Sequence, residues 1–163
     1  MTFHKIFVAL DRSQLTDQVF EEALELAQMF RAQLRLFHSL STPSLTDMGL
    51  SIPVDLGMNA ELLTQAYLVE QERIAKEREE GEALLQKYST QAIGLGISTE
   101  FAQKEGGETG PTICEEAQQW GADLIIVGRR GRTGLAEILL GSISNYVLHH
   151  AHCCVLVVQN LPN

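Results

Sequence analysis

The stretch LIIVGRRGRTGLAEILLGS, residues 124–142, decides the class of fold that this chain adopts. It opens with LIIV, an apolar run without polar alternation, which is typical of a parallel strand buried on both faces. A glycine-rich loop follows, and GSI at residues 141–143 predicts the start of a helix. Glycine lets the backbone come close to a ligand, and the first N–H groups of a helix have no partner inside it. The stretch therefore predicts a strand, a loop able to form an anion nest, and a helix start that favours anions.

Strand-like and helical segments alternate along the rest of the chain. Short apolar runs predict the other strands, and apolar residues at helical spacing predict the segments between them as helices. Such alternation is typical of an α/β protein with an open, mostly parallel sheet and helices on both faces. Ligands of such sheets bind beyond the carboxyl ends of the strands. Strand one ends at Asp11 and strand four at Gly128, so we expect these two ends to flank one crevice.

The composition is that of a soluble globular protein. The chain has 163 residues, of which 45% are apolar and 20% charged, and its net charge is −9. An acidic surface disfavours nucleic acid and anionic lipid as partners. No apolar run reaches the ~18 residues that a membrane helix needs, and the first residues do not resemble a signal peptide. We therefore expect one cytoplasmic domain covering residues 1–163.

Residues 40–60 interrupt the alternation. They are rich in Pro, Gly, Ser and Asp, and an irregular connection of this length is uncommon in a compact domain. Two interpretations stay open, a functional flap and a flexible insertion. Residues 61–90 then predict a long helix with a charged, solvated face, weakened at Gly81. The third strand, around Phe101, alternates with polar residues and is expected at a sheet edge.

The loop after the fourth strand carries Arg129, Arg130 and Arg132 in an otherwise acidic chain. From the spacing alone, the loop is either a cradle for a polyphosphate or a surface turn. The G-x-x-x-x-G-K-[ST] motif of P-loop NTPases is absent, and so is the dinucleotide motif G-x-G-x-x-G.

The segment HHAHCC, residues 149–154, brings soft metal ligands together in sequence. Its spacing matches neither C-x-x-C nor the usual histidine pairs, so we expect no zinc site there. The odd number of cysteines, two of them adjacent, excludes a disulfide framework and agrees with a reducing compartment. Asp11 is the only carboxylate that we place in the crevice, and we predict no catalytic residue.

The spacing Gly128-x2-Gly131-x9-Gly141-Ser142 resembles the G-2x-G-9x-G-[S/T] signature of the ATP-binding branch of the universal stress protein family. The likeness covers nearly the whole chain, including VALDRS at residues 8–13, ADLIIVG at 122–128 and VLVV at 155–158. It implies an open five-stranded parallel sheet of order 3-2-1-4-5, Rossmann-like and of the adenine nucleotide alpha hydrolase-like type.

The resemblance also implies roles for particular residues. The phosphates would be bound by Gly128, Arg129, Arg130, Gly131, Arg132, Gly141, Ser142 and Ile143. The adenine pocket would be lined by Ala9, Ser39 and Val127. Asp11 would face the ribose or, indirectly, a Mg²⁺ ion held by the phosphates. The chain departs from the family pattern at Ser39, where Val is common, and at Cys153 and Cys154, where Pro is common. The first departure bears on the adenine pocket, and the second on the last strand.

The function implied is that of a nucleotide-responsive regulatory protein of the stress response, which binds ATP, or ADP or AMP, with Mg²⁺. Hydrolysis is expected to be slow at most, because no convincing base is present to activate water. Two alternatives stay open: a nucleotide-dependent hydrolase or transferase with residues 40–60 as a lid, and a nucleotide-free dimeric scaffold. We expect a homodimer through the last strand, Val155 to Val158, because an apolar strand at a sheet edge invites pairing. A further protein partner is expected but not identified.

Overall fold

The computed structural model describes residues 2–40, 60–129 and 141–159. Strands and helices alternate within these ranges, as the sequence predicts. The elements are β1 (Lys5–Ala9), α1 (Thr16–Phe30), β2 (Gln33–Leu40), α2 (Ala60–Gly94), β3 (Thr99–Glu105), α3 (Thr109–Trp120), β4 (Leu124–Gly128), α4 (Ser142–His150) and β5 (Cys154–Val158).

The strands form a five-stranded sheet of order β3-β2-β1-β4-β5, which confirms the predicted order. All four pairings are parallel. Strand β1 lies at the centre, with β2 on one side and β4 on the other. The chain therefore reverses its direction of winding between β1 and β4, and ligands of open α/β sheets bind at such a reversal.

Alternate strand positions supply two apolar layers, one on each face of the sheet. Ile6 and Val8 pack with α1 and α2. Phe7, Phe37 and Val127 pack with α3 and α4. Since successive side chains of a strand point to opposite faces, this division confirms helices on both sides of the sheet.

Helix α2 is continuous from Ala60 to Gly94 and is not interrupted at Gly81, where the sequence predicts a weakened helix. Gly81 lies within α2 and is buried, on the face of the helix that packs against the sheet. A Cβ at Gly81 would lie 2.6 Å from Cδ2 of His38 and 2.5 Å from Nε2 of Gln103. Glycine at this position therefore does not break the helix but lets it approach the sheet where it crosses β2 and β3.

A short turn leads from β1 into α1. The sequence offers Ser13 as a residue able to cap this helix, but the helix begins at Thr16, with Leu15 at the N-cap position. Ser13 lies in the turn before the helix, where its hydroxyl accepts a hydrogen bond from the Leu15 N–H at 3.3 Å. The turn is built by Asp11, whose contacts are described below.

The two edge strands differ in character. Strand β3 has Phe101 37% exposed, in agreement with its predicted edge position. Strand β5 has Val155, Leu156 and Val157 half-buried along its length. An outer strand with apolar residues presents unpaired backbone groups beside an apolar surface.

Candidate functional site

Three features meet at one edge of the sheet. Strands β1 and β4 are parallel neighbours with Ala9 opposite Val127, so both end at the same edge. Helix α4 ends at His150, shortly before β5 begins at Cys154. Strand β5 starts at the end of the sheet where the amino termini of the strands lie, so α4 must run antiparallel to the strands. The N-terminus of α4 therefore lies at the carboxyl ends of β1 and β4. The crevice predicted from the sequence lies at these carboxyl ends, which we call the carboxyl edge of the sheet.

Asp11 organises the loop that leaves β1. Its Oδ1 accepts hydrogen bonds from the Ser13 N–H at 3.0 Å and from the Thr16 hydroxyl at 3.0 Å. The Thr16 hydroxyl also lies 2.6 Å from the Asp11 carbonyl oxygen. One carboxylate oxygen thus fixes the turn into α1, and a carboxylate offers about four acceptor positions in all.

Three small or apolar residues assigned to the adenine pocket lie on one face of the sheet. Ala9 and Val127 belong to the layer beneath α3 and α4. Ser39 follows Phe37 by one strand repeat and therefore lies on that face as well. Its hydroxyl oxygen is buried and has no hydrogen-bond partner among the described residues. A buried hydroxyl without a partner is uncommon in folded proteins and calls for an explanation.

The strand beside Ser39 carries a charged pair. Lys104 is the register partner of Ser39 on β3. Its ammonium donates to Oε1 of Glu116 on α3 at 2.9 Å. The hydrogen bond to Glu116 raises the pKa of Lys104 above its ordinary value. The Lys104 ammonium is therefore held by α3.

Gly128 has a packing reason to be glycine. A Cβ at this position would lie 3.1 Å from Cγ2 of Val19 and 3.2 Å from Cδ2 of Leu15, both in or next to α1. Its φ is not positive. The glycine therefore allows α1 to sit close on the end of β4, whether or not a phosphate approaches its backbone.

Arg129 lies beyond the end of β4 and contacts the residues that leave β5. Its backbone N–H donates to the carbonyl of Val158 at 2.7 Å. Its Nη1 donates to Oε1 of Gln159 at 2.9 Å. The Arg129 guanidinium is thus engaged at the β5 side of the crevice.

The N-terminus of α4 offers backbone donors. Gly141 is the N-cap residue, and no side chain caps the helix among the described residues. Its carbonyl accepts the first helical hydrogen bond, from the Asn145 N–H at 2.9 Å, and also accepts from the hydroxyl of Ser144 at 3.0 Å. The N–H groups of Ser142 and Ile143 precede the first helical donor, and the Ser142 side chain is exposed. Such a helix start binds anions through its N–H groups and its dipole.

Part of the predicted phosphate site lies outside the described residues. Arg130, Gly131 and Arg132 fall there, between β4 and α4. Most of the predicted irregular segment, residues 41–59, falls there as well. Among the described members of the predicted set, Ala9, Asp11, Ser39, Val127, Gly128, Gly141, Ser142 and Ile143 come together at the carboxyl edge, while Arg129 lies at its β5 side.

His38, near the end of β2, also lies at this edge. It is 7% exposed, and its Nδ1 lies 2.8 Å from the carbonyl oxygen of Leu10, the residue before Asp11. A single histidine in an apolar strand carries no sequence signal for such a contact. The partner is distant in sequence, and only folding brings the two together.

Burial affects the thiols of two of the three cysteines. Burial is the main cause that raises the pKa of Cys153 to about 11. Burial also raises the pKa of Cys114. Metals bind the thiolate form, so a raised pKa opposes binding at neutral pH. His150 stacks on Tyr146 with ring centroids 4.0 Å apart, and the described residues contain no cluster of three metal-ligating side chains.

Across the described ranges, no helix combines the length and apolar character that a bilayer span requires.

Comparison with known sequences gives a consistent result. The universal stress protein family matches residues 2–159. Universal stress protein Sll1388 of Synechocystis sp. is 39% identical over 162 residues, which cover 98% of this chain and 100% of that protein. Universal stress protein A homolog 2 of Coxiella burnetii is 37% identical over 158 residues, which cover 96% of this chain and 95% of that protein.

Solved structures share the fold. Universal stress protein UspA from Lactobacillus plantarum superposes with a TM-score of 0.75 at 21% identity, covering 97% of this chain and 99% of that one. The Archaeoglobus fulgidus universal stress protein in complex with dAMP gives 0.57 at 20% identity, covering 96% and 98%. A universal stress protein in complex with cAMP gives 0.62 at 19% identity, covering 97% and 98%.

Proposed function

Because this chain belongs to the universal stress protein family, we propose that it binds an adenine nucleotide, ATP with Mg²⁺, at the carboxyl edge of its sheet. The bound nucleotide alters the contacts of the protein with a partner, and the protein acts as a regulator in the stress response. Structures of the same fold in complex with dAMP and with cAMP support an adenine nucleotide as the ligand.

One observation carries the proposal: a helix start that no described side chain caps and a carboxylate loop meet where the sheet reverses its winding. The helix start of α4 supplies donors for an anion, and Asp11 supplies a carboxylate on the other side of the β1 end. Open α/β sheets bind ligands at this place because the strand ends separate there.

The residues on the sheet face fit the base. Ala9 and Val127 supply a small and an apolar surface suited to a flat ring. The buried Ser39 hydroxyl, without a partner among the described residues, is able to donate to or accept from the edge of a purine. Pairing with the base would remove the cost of about 1–3 kcal/mol that an unpaired buried polar group carries.

The residues at the helix start fit the phosphates and a cation. The N–H groups of Ser142 and Ile143 and the Ser142 hydroxyl would donate to phosphate oxygens, together with Arg130, Gly131 and Arg132. Asp11 would hold Mg²⁺ through carboxylate oxygen or bound water. Mg²⁺ prefers one or two carboxylates plus substrate phosphates and water, which this set supplies.

Hydrolysis is slow in this proposal. General base catalysis needs a group that is placed to take a proton from water. The Asp11 carboxylate already accepts hydrogen bonds from Ser13 and Thr16 through Oδ1, so this oxygen is engaged in the turn and is not placed to activate water. Nucleotide is therefore retained as a ligand and is not consumed at the rate of an enzyme substrate.

A second copy of the chain is the partner we propose for β5. Val155, Leu156 and Val157 are half-buried on the outer strand, so pairing with a twin would cover both apolar surface and unpaired backbone groups. We place the protein in the cytoplasm, since Cys114, Cys153 and Cys154 form no disulfide.

Two measurements test the proposed function. Mass spectrometry of the small molecules released on denaturation should find an adenine nucleotide, and calorimetric titration of stripped protein with Mg-ATP should give a saturable heat. No heat with any adenine nucleotide would favour the nucleotide-free scaffold. Phosphate release at many turnovers per minute, abolished by Asp11→Ala, would favour a hydrolase.

A further inference from the structure

We propose that His38 is a positioning residue of the nucleotide site and that it makes this site depend on how helix α2 sits on the sheet. The proposal rests on the proposed function, because the loop that His38 holds is the loop of Asp11. His38 itself lies on the α1 and α2 side of β2, away from the face assigned to the base.

Both backbone groups of Leu10 are held by β2. The Leu10 N–H donates to the carbonyl of Phe37 at 2.8 Å, which extends the pairing beyond the end of β1. The Leu10 carbonyl oxygen lies 2.8 Å from Nδ1 of His38. A carbonyl oxygen only accepts, so Nδ1 carries the proton. A side chain thus holds the peptide that leads into Asp11, and it sets the plane of that peptide.

The His38 ring is enclosed on its other side by α2. A Cβ at Gly81 would lie 2.6 Å from Cδ2 of the ring, closer than real Cβ atoms approach, and 3.1 Å from its Nε2. The ring is 7% exposed. Helix α2 therefore packs on the ring on the side away from the Leu10 carbonyl, and a shift of α2 would change this packing.

Helix α2 also contacts the loop directly. Glu80, next to Gly81, forms an ion pair with Arg12, the residue after Asp11. Both side chains are more than a third exposed, at 49% and 39%, so the pair adds little stability. The pair matters for its geometry, because it shows that the turn of α2 that packs on His38 also contacts the loop directly, at the residue after Asp11.

A shift of this turn of α2 would therefore move the Asp11 peptide. By thermodynamic linkage, a nucleotide that binds better to the held loop also stabilises the seated helix. Through this coupling, nucleotide binding would change the position of α2 on the sheet. Residues 64–69 of α2 are exposed to solvent.

The competing explanation is that His38 only fills the core. The two roles predict different results. A core role lowers the free energy of unfolding and leaves nucleotide affinity unchanged at temperatures where the protein is folded. A positioning role changes affinity, and the change is reversed by a side chain that restores the Nδ1 donor alone.

The test compares His38→Leu with His38→Asn, using Mg-ATP titrations well below the melting temperature. The Asn amide nitrogen stands at the same number of bonds from Cα as Nδ1, so it keeps the donor to Leu10. We expect His38→Leu to weaken Mg-ATP binding about tenfold, as expected for one buried hydrogen bond. His38→Asn should remain within about threefold of the wild type. Equal affinities in the wild type and His38→Leu would overturn the proposal.

A second pair of variants approaches the ring from the helix. Gly81→Ala places a methyl group against His38, while Gly94→Ala in the same helix meets nothing within 4 Å. We expect Gly81→Ala to weaken Mg-ATP binding at least threefold and Gly94→Ala to leave it unchanged. Unchanged affinity in folded Gly81→Ala would contradict the coupling to α2.

Amide hydrogen exchange without nucleotide separates this inference from the proposed function. His38→Leu should speed exchange at Asp11, Arg12 and Ser13, and His38→Asn should restore protection. If the wild type binds no nucleotide, the proposed function fails, and the inference about the site fails with it. The exchange experiment then still shows whether His38 holds the loop. Unchanged protection of the loop in His38→Leu would show that it does not.

Discussion

Asp11 serves both the folding of the β1–α1 turn and, in our proposal, the binding of a cation. Its Oδ1 accepts from the Ser13 N–H and the Thr16 hydroxyl, each at 3.0 Å. These contacts need an acceptor oxygen but no charge. Binding of Mg²⁺ needs the charge. The two roles can therefore be separated by a substitution that keeps the oxygen and removes the charge.

Asp11→Asn should separate them. The amide oxygen keeps the turn, so we expect the free energy of unfolding to change by less than about 1 kcal/mol. Affinity for Mg-ATP should fall about tenfold, because an amide is a weak magnesium ligand. Chemical denaturation and calorimetric titration measure the two effects. Asp11→Ala is the control, with an expected loss of about 1–2 kcal/mol of stability. Full Mg-ATP affinity in Asp11→Asn would rule out a charge-dependent role.

Ser39 gives a second prediction at the scale of one side chain. Ser39→Ala removes a buried hydroxyl that has no partner among the described residues. The protein without nucleotide should lose no stability and should gain up to about 1 kcal/mol. Affinity for ATP should fall about fivefold if the hydroxyl pairs with the base.

The matched control for Ser39→Ala is Ser89→Ala. Ser89 is a buried serine, 4% exposed, that lies in α2. Its substitution should leave ATP affinity unchanged. If Ser39→Ala and Ser89→Ala bind ATP equally well, the Ser39 hydroxyl does not contact the base.

Among the elements, β5 decides how the molecule associates. The carbonyl of Val158 accepts from the Arg129 N–H, so the backbone groups of Val158 face β4. In a strand, adjacent residues direct their backbone groups to opposite sides. The N–H of Val157 therefore faces the open edge, where we place the second copy.

Val157→Pro should abolish the dimer and keep the fold. Proline is tolerated on an edge strand when its missing N–H faces outward. Sedimentation velocity should show a monomer, and circular dichroism should show native helix content. Leu156→Pro is the matched control, since it removes an N–H that faces β4, and it should cost about 1–3 kcal/mol of stability. A dimer that persists in Val157→Pro would place the interface elsewhere.

At the scale of the whole molecule, binding and stability are linked. A ligand that binds only the folded state raises the free energy of unfolding by about 2.7 kcal/mol at a concentration of 100 times Kd. For a chain of this size, the melting temperature should rise by roughly 5–10 °C. Thermal unfolding with and without saturating Mg-ATP measures the shift, with Mg²⁺ alone as the control. An unchanged melting temperature at saturation would contradict nucleotide binding to the folded protein.

Much of the fold is predictable because it depends on local patterns. The unbroken apolar run of β4 predicts a central parallel strand, and its residues 124–127 are buried. Gly121 adopts a φ of 76° and ends α3, as a glycine after an apolar helix face predicts. The strand order itself follows from the resemblance to a family, since local patterns do not state which strands pair.

Other features escape sequence analysis because their partners are distant in the chain. Gly81 is predicted as a weak point of a helix, yet it is where α2 meets His38. Gly128 is predicted as a phosphate contact, yet Leu15 and Val19 also crowd the place of a Cβ there. In both cases a glycine is visible in the sequence, but the atoms that exclude a Cβ are not.

The sequence by itself determined the alternation of strands and helices, the buried character of β4 and the position of the glycine-rich segment, because periodicity and backbone propensity act over a few neighbouring residues. Only the tertiary structure decided that Asp11, Ser39 and the start of α4 share one edge of the sheet. It alone brought the His38 ring between the Leu10 carbonyl and α2. The physical reason is that these contacts form only when parallel strands align in register and helices pack across them, and no local interaction sets that register.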